Sequence, residues 1–123
     1  MGRRVILAGV CLWGLMIGKA IDGHELLTAQ ISPRIAPAPG FVRVRAFVDA
    51  SDDNRALEVV AQSEDFVRTS TIELDGAAAP RLNVFDFPNL PAGEYEVRAA
   101  LFGTNGIRAT TARTVLIVSG PRR

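Results

Sequence analysis

The sequence predicts an all-β domain, an antiparallel sandwich of about seven strands, carried behind an N-terminal signal helix. Three observations predict it. After Phe41 the hydropathy has period two rather than a helical period. Turn-forming clusters break that alternation at Asp49–Asn54, Ser63–Asp65, Asp75–Pro80, Pro88–Gly93 and Gly103–Gly106. A basic and then apolar N-terminus precedes all of it.

The N-terminal segment pairs Arg3 and Arg4 with an uncharged, largely apolar run from Val5 to Gly18. Gly18-Lys19-Ala20 then offers small residues at the two positions a signal peptidase reads. The run is shorter than the roughly 20 apolar residues of a spanning helix. Residues 1–20 are therefore expected to be a signal peptide and the chain to be exported, periplasmic or extracellular. The alternative is an uncleaved helix that anchors the domain in a membrane. Cys11 and Trp13, the sole cysteine and tryptophan, and Lys19, the sole lysine, all lie in this segment. The remainder, residues 21–123, carries eleven arginines against thirteen acidic residues, a formal charge of −2. That balance gives no basic footprint for nucleic acid. Without cysteine the exported part has no disulfide and no thiolate metal site, so its stability must come from its core.

Residues 21–40 read as a proline-rich linker, with Pro33, Pro37 and Pro39, and a candidate edge strand at Ile31–Ile35. The sandwich proper is expected at 41–119, with a short tail at 120–123. Val42, Val44, Ala46 and Val48 form the core face of one strand, with Arg43 and Arg45 opposite. Leu57, Val59 and Ala61 do the same in the next. Phe66–Leu74 changes its apolar face at Thr69–Thr71, which predicts a bulge or a crossing between sheets. In Leu82–Phe87 either face can be buried, Phe85 and Phe87 being the bulkier set. Tyr95, Val97, Ala99 and Leu101 alternate with Glu94, Glu96, Arg98 and Ala100. Asn105-Gly106 marks a hairpin into a last strand at Ile107–Val118.

The stretch Leu90-Pro91-Ala92-Gly93-Glu94-Tyr95-Glu96-Val97 resembles the tyrosine corner of immunoglobulin-like and fibronectin type III sandwiches. The resemblance implies an immunoglobulin-like fold with Leu90, Gly93 and Tyr95 as structural corner residues. The Tyr95 hydroxyl would bond a backbone group a few residues upstream, around Pro91, with Leu90 packed beneath. The longer run Phe87–Arg98 also resembles the prealbumin-like regulatory domains attached to carboxypeptidases and outer-membrane proteins, which are sandwiches too.

Candidate chemistry is sparse. The turn holding Asp49, Asp52 and Asp53 clusters hard oxygen ligands of the kind calcium takes, but Asn54 and Val60 stand where an EF-hand needs glycine and glutamate. A solvated turn is the favoured reading. His24, the only histidine, lacks a cysteine or histidine partner for catalysis or a metal. Glu94 with Glu96, and Glu64 with Asp65, are too alike in setting to act as an acid and base pair. The expectation is a non-enzymatic module without cofactor, monomeric or weakly oligomeric, working through an unknown protein partner or in envelope structure. Arg43, Arg45, Arg98 and Arg68 are a candidate interaction stripe, weighed against ordinary pairing with Glu58, Glu94 and Glu96. On that stripe rests the alternative of an accessory module for a carbohydrate or an acidic polymer.

Overall fold

A computed structural model describes residues 26–119. The expected signal segment with Cys11, His24 and the tail at 120–123 lie outside the described residues. Eight strands follow one another: β1 (Leu27–Ser32), β2 (Ile35–Pro37), β3 (Gly40–Val48), β4 (Ala56–Gln62), β5 (Val67–Glu73), β6 (Leu82–Leu90), β7 (Gly93–Gly103) and β8 (Gly106–Val118). One 3-10 turn, Gly76–Ala78, is the only helical element among the described residues. No described helix is long and apolar enough to cross a membrane. The strands form a three-stranded sheet, β1-β3-β6, facing a five-stranded sheet, β2-β8-β7-β4-β5.

Alternation builds the core between them. Val42, Val44, Ala46 and Val48 of β3 and Phe85, Phe87 and Leu90 of β6 point inward from one sheet. Leu57, Val59 and Ala61 of β4, Tyr95, Val97 and Leu101 of β7 and Val115 and Ile117 of β8 meet them from the other. Each burial removes apolar surface from water at about 25 cal/mol per Å². Gly40 marks how closely the layers approach, since a Cβ there would stand 2.6 Å from the Ile117 Cδ1 atom.

Three sequence expectations need correction. The linker at 21–40 is in large part structure. Residues 27–32 pair with β3 from Leu27 against Val48 to Ser32 against Arg43. Residues 35–37 run parallel to β8, from Ile35 against Leu116 to Pro37 against Val118. The chain crosses from one sheet to the other at Pro33-Arg34, and each short segment borrows its hydrogen bonds from a distant strand. This adds a strand to the expected number. The bulge at Thr69–Thr71 is absent, because β5 pairs with β4 in unbroken register from Ala56 against Glu73 to Gln62 against Val67. β5 is an edge strand, so neither of its faces has to be uniformly apolar. β6 also runs beyond Pro88 to Leu90, with Asn89 at a φ of 60° bending the chain into the corner.

Candidate functional site

The corner after β6 is a fastening. Tyr95 and Leu90 are both wholly buried. The Tyr95 hydroxyl donates to the Pro91 carbonyl oxygen at 2.7 Å, closing the turn that carries the chain from one sheet to the other. The Phe66 ring meets the Tyr95 ring edge-on, at 6.4 Å between centroids and 77° between planes. Gly93 packs beneath, where an added Cβ would sit 3.3 Å from the Ser63 Cβ atom.

The acidic turn fastens the opposite end. Asn54 is 1% exposed. Its amide donates to the Asp49 carbonyl at 2.9 Å, and its Oδ1 accepts from the Arg108 Nη1 atom at 2.5 Å. Asp53 Oδ1 accepts from the Thr104 backbone N–H at 3.0 Å and from the Thr104 hydroxyl at 2.6 Å. Its other oxygen lies 3.6 Å from Arg108 Nε. The three carboxylates considered for calcium do not converge: Asp53 is turned onto the β7–β8 hairpin, and Asp49 pairs at 3.6 Å with Arg81. Among the described residues no group of three His, Cys, Asp or Glu side chains is placed to hold a metal ion. This clamp links residues about 50 positions apart and was not legible beforehand.

The Thr104 hydroxyl and N–H, and then Arg108 and Arg55, hold the Asp53 carboxyl below the usual carboxylate range. The Arg43 hydrogen bonds and charge do the same for Asp86. A carboxyl whose pKa is depressed by folding stabilises the native state above its unfolded pKa of about 4 and loses that contribution as pH falls through the folded value. We therefore expect the melting temperature to drop between about pH 5 and pH 2. The drop should be visibly smaller in an Asp53→Asn, Asp86→Asn double variant, as a thermal melt series will show.

The candidate arginine stripe does not exist as one face. Arg43 and Arg45 lie on β3, on the outside of the three-stranded sheet. Arg98 lies on β7, on the outside of the other sheet, and pairs at 2.6 Å with Glu96. Arg68 stands opposite buried Ala61, on the inner side of β5, and reaches across the open edge of the sandwich. There it donates to the Pro88 carbonyl at 2.5 Å and stacks over Phe66 at 5.2 Å. Alternation assigns a residue to a face of its strand, but only the pairing of strands decides which sheet that face belongs to.

What the outer face of the three-stranded sheet does gather is apolar surface. Registered rows run Thr28–Phe47–Leu82, Gln30–Arg45–Val84 and Ser32–Arg43–Asp86 across β1, β3 and β6. Phe47, Leu82 and Val84 are 38%, 45% and 50% exposed, and Phe41 beyond them is 45% exposed. Arg43 binds Asp86 with both forks, at 2.8 and 3.1 Å, and lies over Phe41 at 5.7 Å. Arg45 stands within the apolar cluster. Leu82 and Val84 were missed as surface residues because their strand reads equally well from both sides. Asp86, which shares their parity, was the signal that this is the solvent side.

No known family model matches the chain, and no curated protein matches it in sequence. Solved structures do share its architecture. A superoxide reductase (neelaredoxin) from Ignicoccus hospitalis superposes with a TM-score of 0.60 at 12% identity, over 75% of this chain and 80% of its own. A point variant of the same reductase gives 0.60 at 14% identity, over 82% and 85%. A family 76 glycoside hydrolase from a bovine Bacteroides thetaiotaomicron strain gives 0.51 at 17% identity, over 74% of this chain and 20% of its own. At these identities the likeness is one of fold. It corrects the expectation that the module is not an enzyme. The same layered β architecture serves a superoxide reductase, so the fold gives no ground for excluding catalysis. The chain is an all-β, two-sheet protein of that architecture.

Proposed function

We propose that this is an exported, immunoglobulin-like sandwich module that docks a protein partner in the cell envelope or outside the cell. The observation that carries the reading is the outer face of β1-β3-β6. Phe47, Leu82 and Val84 form a contiguous apolar cluster in water, with Arg45 among them and the Arg43–Asp86 pair at its rim. Contiguous exposed apolar surface with a polar rim marks association surfaces. Aromatic and arginine side chains are the ones that carry binding energy in them. The immunoglobulin-like reading is supported by the order of strands in the two sheets and by the Tyr95 hydroxyl on Pro91, the bond a tyrosine corner makes. Export is supported by Arg3, Arg4 and the apolar run that follows them.

A photo-crosslinking residue at Val84 should capture a partner in the native compartment, whereas one at Thr114, on the outside of the other sheet, should not. Phe47→Ser should abolish the Val84 adduct. Because Phe47 is only 38% exposed and stands opposite Leu82 on the central strand, the substitution should also cost about 1–2 kcal/mol while leaving the domain folded. Equal capture from both positions would overturn the reading.

A further inference from the structure

The sandwich leaves four strand edges open, and they are not equally protected. β2 has three residues and ends in Pro37. β1 packs against β8. β6 carries Pro88 and the left-handed Asn89. β5, Val67-Arg68-Thr69-Ser70-Thr71-Ile72-Glu73, has seven residues, no proline, no lysine and no break in register. Proline, lysine, bulges and shortness keep exposed edges from pairing, as do charged side chains. β5 has none of the first four, and of its two charges Arg68 is tied back to the Pro88 carbonyl and Glu73 stands at the strand end.

The orientation of its backbone follows from two bonds. Leu74 N–H reaches the Arg55 carbonyl at 2.9 Å, and Ser63 N–H reaches the Phe66 carbonyl at 2.8 Å. Hydrogen-bonded pairs alternate along an antiparallel ladder. Arg68, Ser70 and Ile72 therefore turn their backbone groups toward β4. Val67, Thr69, Thr71 and Glu73 turn theirs to the open edge, and the same four side chains face solvent.

We propose that β5 pairs with β5 of a second copy of this chain, antiparallel about a two-fold axis at Ser70. This register uses the whole strand. It sets Thr69 against Thr71, Val67 against Glu73, Arg68 against Ile72 and Ser70 against itself, so no like charges are opposed. The residues that exchange hydrogen bonds in it are those whose groups point outward. Threonines on facing strands are favourable cross-strand pairs. The two five-stranded sheets join into one continuous sheet of ten strands. The outer face of β1-β3-β6 is left open by this pairing, so the two surfaces fail or succeed independently.

Sedimentation equilibrium of the protein as purified should show reversible dimers at concentrations on the order of 10 μM. Two substitutions should each weaken association at least about tenfold without lowering the melting temperature measured at dilutions where the parent is monomeric. Thr69→Lys adds a charged guard to the edge. Thr71→Pro removes an N–H that the β4 ladder does not use. In a Cys11→Ser background, Ser70→Cys should form a covalent dimer on mild oxidation, because Ser70 faces itself across the axis. A protein monomeric at all concentrations, a dimer indifferent to both edge substitutions, or a Ser70→Cys variant that resists cross-linking would overturn the proposal. In each case the Val84 adduct is expected to persist.

Discussion

Tyr95→Ala should destabilise the domain by about 3–5 kcal/mol, the range for emptying a buried aromatic site. Tyr95→Phe should cost only about 1–2 kcal/mol. The two figures separate two jobs of one side chain. The ring is wholly buried where the sheets meet and holds Phe66 edge-on, so its removal opens a cavity in a core that no disulfide supports. The hydroxyl donates to Pro91 at 2.7 Å. Loss of that bond frees the corner, but Pro91 is an exposed residue in a turn, so its carbonyl can turn to water once the hydroxyl is gone. The phenylalanine penalty therefore stays near that of a single hydrogen bond rather than that of a stranded buried group. Urea unfolding with an unchanged m-value measures both. A Tyr95→Phe change of only a few tenths would show that the corner is held by packing alone. Leu90→Ala, on the same wholly buried corner, is expected to fall between the two.

That corner is readable in the sequence, and the reason is local: all its members lie within eight consecutive residues. The core faces of β3, β4 and β7 were readable for the same reason, since an alternating strand shows its parity without its partners. Where partners decide, the reading ran out. Leu27–Ser32 mixes Thr28, Gln30 and Ser32 with apolar residues and lies beside prolines, so by itself it resembles a linker. Only pairing with β3, whose pattern is unambiguous, makes it a strand. Leu82 and Val84, the β6 part of the exposed apolar face, went unread because that strand offers two plausible sides, and the choice is made by Phe85 and Phe87 entering the core. The arginines were grouped by parity, yet parity is blind to the sheet. Arg43 and Arg98 have the same solvated setting on opposite sides of the molecule.

The second large effect should come from Asn54, a residue that in sequence is merely the last of a polar turn. Asn54→Ala is expected to cost about 2–3 kcal/mol, because it strands two partners at once. The Asp49 carbonyl loses its donor, and the half-buried Arg108 guanidinium loses its nearest acceptor. Asn54→Asp discriminates between these losses. A carboxylate would keep Arg108 satisfied, and indeed hold it more strongly, but it would face the Asp49 carbonyl with no proton to donate. Its cost should therefore be smaller than that of alanine yet still measurable. Arg108→Met in the Asn54→Ala background completes a cycle: once the charge is gone, the missing acceptor matters less. The double variant should be about 1 kcal/mol more stable than the sum of the single losses. Additive single effects would mean that Asn54 and Arg108 act separately. In that event the side-chain tie between the acidic turn and the β7–β8 hairpin would rest on the Asp53 carboxylate, which accepts from Thr104 and pairs with Arg108, and would weaken as that carboxylate is protonated.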